Sequence, residues 1–117
     1  MINEHIICAA IWINDKIKHQ QQPTNVEIGF VVCGRRHNNC YQTITDLKGD
    51  SNKYFKSLNM TDDDYRKHQG FMTSLDRFVD RHEGWVIAKK NNQIKIGLIA
   101  STEENEEDSI LISENLY

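Results

Sequence analysis

Apolar residues fall in blocks along the chain. His5 to Ile13 (HIICAAIWI) is nearly continuously apolar, short and rich in isoleucine, which predicts a strand covered on both faces. Asn14 and Asp15 break it, and residues 16–24, with Gln20, Gln21, Gln22 and Pro23, read as a mobile turn or hairpin tip. Val26 to Cys33 (VEIGFVVC) predicts a second strand. The link of about twelve residues is too short for a comfortable helical crossover, so the two strands should pair antiparallel.

The period then changes. From about Asn38 to Leu47, Cys40, Tyr41, Ile44 and Leu47 recur at three and four residues, the mark of one apolar helix face, with Asn38 or Asn39 available as a cap. Residues 48–66 are polar and weakly patterned, suggesting a surface excursion with room for a short helix after Thr61. His68 to Thr73 reads as a short strand or turn carrying Phe71. A second helix is expected from about Asp80 to Asn91, with Trp85, Val86 and Ala88 on its apolar face. Gly84 costs that helix about 1 kcal/mol against alanine, so it relies on packing. Ile94 to Ala100 predicts a third strand and Ile110 to Ile112 a short apolar run. The expectation is an α+β fold: a small, mostly antiparallel sheet from residues near 5–13, 26–33 and 94–100, with helices near 38–47 and 80–91 packed on it.

Length and composition narrow the class. The 117 residues are enough for one domain, read here as a single ligand-binding domain over 1–117. No apolar run approaches the roughly 18–20 residues of a membrane span, and Met1 to His5 contain no basic stretch of the secretory kind. Three cysteines without a CxxC pair fit reduced, buried thiols in a cytosolic protein. The net charge of −3 conceals an uneven distribution, because residues 103–108 hold five of the seventeen acids. That run reads as a solvated loop. All five arginines lie between Arg35 and Arg81.

Two polar groups could carry chemistry. Gly34-Arg35-Arg36-His37-Asn38 lies where a strand should meet a helix start, a place suited to anions through backbone amides and guanidinium forks. Adjacent arginines serve equally well to solubilise a strand end. The second group is Gln69-Gly70-Phe71 with the segment Asp76 to Glu83. Arg77 and Arg81 are four apart and would share a face on a helix. Asp76 and Asp80 could orient them, or simply form an Asp–Arg network that stabilises a helix entry. Phe71 beside a glycine could stack on a base or belong to the core. The five histidines show no HxxxH or HxH spacing, so no metal is expected. No phosphate-loop or nucleophile-elbow motif is present, and the pattern favours binding over turnover.

CGRRHNNC at 33–40, QGF at 69–71, RFVDR at 77–81 and the closing SENLY at 113–117 resemble the Thoeris anti-defence sponge family of phages, in its first described type. The resemblance implies a homo-oligomer in the host cytoplasm that sequesters a cyclic ADP-ribose isomer without cleaving it. Some members also capture cyclic oligonucleotides of CBASS immunity. On this reading no cofactor and no catalytic residue is needed. The ligand site would draw on Arg35, Arg36, His37, Gln69, Phe71, Arg77, Asp80 and Arg81. Arg36, Arg77 and Arg81 would converge on a diphosphate, Phe71 would lie against a base, and Asp80 would hold an arginine in place. A dimer or larger assembly would hide apolar surface that two short helices leave uncovered. Two other classes stand beside this one: an enzyme acting on an ADP-ribose or nucleotide substrate with His37 or Asp80 as general base, and a protein inhibitor acting through the acidic run. Nucleic acid is a poor partner for a chain of net negative charge with no reading motif, and no membrane partner is expected.

Overall fold

The computed structural model describes residues 3–94 and 111. Four strands form one antiparallel sheet in the order β2-β1-β3-β4: β1 is Ile6–Ile13, β2 Phe30–Gly34, β3 Gln69–Thr73 and β4 Phe78–Asp80. The helices are α1 (His37–Lys48), α2 (Ser51–Ser57), α3 (Asp62–Lys67) and α4 (Arg81–Lys90). This is the expected α+β class, with antiparallel pairing of the first two strands. The two main helices lie within a residue or two of their expected bounds. The strand expected over 94–100 lies outside the described residues except for Ile94, which is unstructured and packs against the core.

Alternation divides the sheet into two faces. Ala9, Ile11 and Ile13 of β1 point to the same side as Val32, Phe71 and Val79, and this side builds the core with Cys40, Ile44, Phe55, Trp85, Ile87 and Ala88. A register shift between Ile6 and Cys8 adds Ile6 to that side. Leu111 is fully buried there, its N–H donating to the Arg81 carbonyl at 2.8 Å. Gly84 fits the same packing, since a Cβ there would stand 3.0 Å from the Phe71 ring. The helical cost of that glycine is therefore offset by close approach to the sheet. Val86 and Leu47, expected on apolar helix faces, are exposed instead. Ile87 takes the buried position beside Trp85 and Ala88.

The opposite face is covered by the chain itself. Residues 14–29, of which 16–24 were expected as a hairpin tip, form a strap from β1 to β2 that reaches both edges of the sheet. At the β2 edge the Gln22 side chain accepts from the Val31 N–H at 3.0 Å. At the β4 edge the Asn25 amide donates to the Phe78 carbonyl at 2.6 Å, and its oxygen accepts from the Phe78 N–H at 2.9 Å. Between them the Trp12 indole N–H donates to the Ile28 carbonyl at 2.9 Å. Gly29, at φ 83°, is the turn that returns this strap to β2, so the second strand begins at Phe30 and not at Val26. β1 is thus covered on both faces as expected, with Ile7 left exposed.

Candidate functional site

α1 and α4 both begin over the core face, and their first turns flank β3. α1 is entered through Gly34-Arg35-Arg36, with Arg36 in extended conformation at the cap position. Asn39 reaches back to accept from the Arg36 N–H at 3.1 Å, so the expected asparagine cap acts from inside the first turn. His37 Nε2 lies 2.8 Å from the Gly70 carbonyl, and the His37 ring meets the Phe71 ring edge-on. One turn later, Tyr41 receives the Gln69 amide on its hydroxyl at 2.9 Å and pairs with His68 Nε2 at 3.0 Å. Burial raises the Tyr41 pKa, partly offset by the Gln69 donor and the Arg81 charge. Burial lowers that of His68, and Arg81 adds to the effect. Arg81 therefore acts electrostatically on both groups. Among the described residues no carboxylate pairs with it.

A cavity of about 500 Å³ opens beside this cluster. Tyr41, Phe55, Tyr65 and His68 give it aromatic walls, and Ser51, Asn52 and Lys56 complete the lining. The rings meet at edges, with Phe55 and His68 centroids 5.8 Å apart and Tyr65 and His68 centroids 5.7 Å apart. Among the described residues no carboxylate lines the cavity, Lys56 stands in its lining, and the Arg81 charge is felt at two of its walls. An anion carrying a flat apolar ring suits such a place.

A larger cavity, about 780 Å³, lies on the other face between the strap and the sheet, with Trp12 and Phe78 among its walls. Its charges are Lys16 and Lys67 against Glu27, Asp80 and Glu83. That balance repels a diphosphate. Size favours the strap-side cavity, but charge favours the helix-side one, and for an anionic ligand charge decides.

The eight residues expected at the site do not form one group. His37, Gln69 and Arg81 border the helix-side cluster. Arg36 stands at its α1 entrance, and Arg35 is exposed before it. Arg77 is not on a helix with Arg81: it precedes β4, and its guanidinium is held by Glu4 at 2.8 Å and 2.9 Å and by Glu83 at 2.6 Å. These carboxylates raise the Arg77 pKa further, and the Arg77 hydrogen bond lowers that of Glu4. Its charge is spent internally. Asp80 orients no arginine; it caps α4 by accepting from the Glu83 N–H at 2.8 Å. Phe71 has no exposed surface, so its ring packs the core and offers no face to a base. The pattern missed the aromatic walls: Phe55 and Tyr65 lie on α2 and α3, within the weakly patterned segment. Among the described residues no group of three or more His, Cys, Asp or Glu could hold a metal, and no helix is long and apolar enough to cross a membrane.

Fold and clefts together define a small single-sheet α+β protein with helices on one face, its own strap on the other, and a cavity on each. The chain belongs to the phage T4 y16D protein family, whose model matches residues 5–117. No curated protein and no solved structure matches it.

Proposed function

We propose that the protein binds and sequesters a nucleotide-type immune signal of the cyclic ADP-ribose class during phage infection, without cleaving it. The observation that carries this reading is the helix-side cavity, lined by four aromatic rings and, among the described residues, by no carboxylate, with Lys56 in its lining and Arg81 acting on two of its walls. A purine would lie against the rings and a diphosphate would meet the cations, with Arg36 reaching from the α1 entrance. Membership of a phage family and the likeness of the arginine motifs to anti-defence sponges support the same reading. His37 and Asp80, the residues a hydrolytic reading would use as bases, are engaged with Gly70 and the α4 N-terminus, which favours holding over turnover. Exposed Ile7, Leu47 and Val86 supply apolar surface for self-association, so the binding form is a homo-oligomer in the host cytoplasm.

Calorimetry with a cyclic ADP-ribose isomer, followed by chromatography of the ligand released by heat, tests the reading. Tight binding and recovery of intact ligand are expected. Conversion of the ligand would make the protein an enzyme. No binding of this isomer, and no small molecule released from protein incubated with infected-cell lysate, would overturn the proposal.

A further inference from the structure

The three cysteines were expected to be buried, and only Cys40 is. It lies on the core side, its thiol donating to the Ala9 carbonyl at 3.7 Å. Cys33 is exposed and Cys8 half-buried. Both point to the strap side of the sheet, on neighbouring antiparallel strands. Cys33 is opposite Ala10, which places Cys8 diagonally across from it on the same face. Across this diagonal the two thiols are near enough to act on each other's ionisation, and the Gly34 backbone acts on Cys8 as well. β2 is a five-residue edge strand, and the register shift in β1 adjoins Cys8. A bridge between diagonal positions needs some backbone adjustment, which β2, at the sheet edge, can supply.

We propose that Cys8 and Cys33 form a reversible cross-strand disulfide, a modification site driven by a low-molecular-weight disulfide. The Cys33 thiolate attacks one sulfur of that reagent. Its S–S bond breaks, one thiolate leaves, and Cys33 carries a mixed disulfide. Cys8 then gives its proton to water and attacks the Cys33 sulfur, expelling the second small thiolate. Two protein thiols lose two electrons between them, and the small disulfide is reduced to two thiols.

The roles are unequal for physical reasons. The neighbouring Cys8 thiol favours the Cys33 thiolate and lowers its pKa to about 7. The neighbouring Cys33, together with burial, raises the pKa of Cys8. Cys33 is therefore the attacking thiol and Cys8 the resolving one. Burial pushes Cys40 up to about 12 and keeps it out of the exchange. The bridge would fasten β1 to the last turn of chain before Arg35, Arg36 and His37, fixing the approach to α1.

Treating the reduced full-length protein with oxidised glutathione and measuring intact mass tests this. The wild type should lose the mass of two hydrogen atoms, regain it with reductant, and give a Cys8–Cys33 cross-linked peptide on digestion. Cys8→Ser should stop at one glutathione adduct on Cys33. Cys33→Ser should consume the reagent about tenfold more slowly or worse, while Cys40→Ser should close as the wild type does. A stable adduct on the wild type, a bridge to Cys40, or no reaction in either the folded wild type or Cys40→Ser would overturn the proposal.

Discussion

Arg77 and Arg81 stand four residues apart and live in opposite circumstances. At the β4 corner, Arg77 is clamped by Glu4 and Glu83, and its side chain is 33% exposed against 18% for Glu4. At the helix-side cluster, Arg81 works on Tyr41 and His68 with no carboxylate partner among the described residues. One corner is electrostatically closed and the other is open to an anion. Spacing alone would put them together; the three-residue strand β4 between them sends them apart.

Substitutions at the two corners should separate their roles. Phe71→Ala, at the ring packed beneath Gly84 and His37, should cost about 3–5 kcal/mol in urea unfolding, the usual price of emptying a buried aromatic position. A fully stable variant that only lost ligand would mean the ring is a binding surface after all. Arg77→Ala should cost about 1.5–3 kcal/mol by the same measurement, the scale of hydrogen bonds to charged groups, and leave ligand affinity unchanged in the folded protein. Arg81→Ala should do the reverse. Its unfolding free energy should hold to within about 0.5 kcal/mol, while calorimetric affinity for a cyclic ADP-ribose isomer falls about ten- to a hundredfold. Matching behaviour of the two arginine variants would erase the distinction between the corners.

Acid should open the corners in sequence. The folded pKa of His68 is lowered from 6.5, so below that value the unfolded chain takes up a proton that the folded one refuses. The stability tied to neutral His68 is complete above 6.5 and declines as pH falls through the lowered folded value. Glu4 follows the same sign from 4.5, because ionised Glu4 is what Arg77 holds. Thermal unfolding followed from pH 8 to 3 should show a first decline below 6.5, absent in His68→Asn, and a second below 4.5, absent in Glu4→Gln. Smallest of all, His19→Ala removes a part-exposed pair with Asp15 at 2.7 Å and should shift stability by less than about 1 kcal/mol.

What could be read from the sequence follows from where burial is regular. β1 is a continuous apolar run buried on both faces, while α1 and α4 each bury a set of side chains at helical spacing, and these signals located them. α2 buries only Phe55, and α3 buries nothing, so neither leaves a periodic trace; only the Thr61 cap signalled α3, and that cap is present as a box with Asp64. β3 read as an uncertain strand or turn because Gln69 and Gly70 interrupt its apolar run. Gly70 is there because a Cβ would collide with the Val79 carbonyl and the Phe78 ring, a reason that lies on another strand. The arginine cluster was legible as composition, but its partners were not. Glu4 is seventy-three residues from Arg77 in the chain, and no local pattern pairs them.

The strap has one more effect, on how copies of this protein avoid sticking to one another. An open antiparallel sheet ends in two strands whose outward N–H and C=O groups invite a stranger's strand. Here Gln22 occupies the outward N–H of Val31 on one edge, and Asn25 occupies both outward groups of Phe78 on the other. Two side-chain amides, three residues apart on one connection, blunt both edges at once. At high concentration, copies of this protein therefore meet without these edge groups free to seed fibril-like growth.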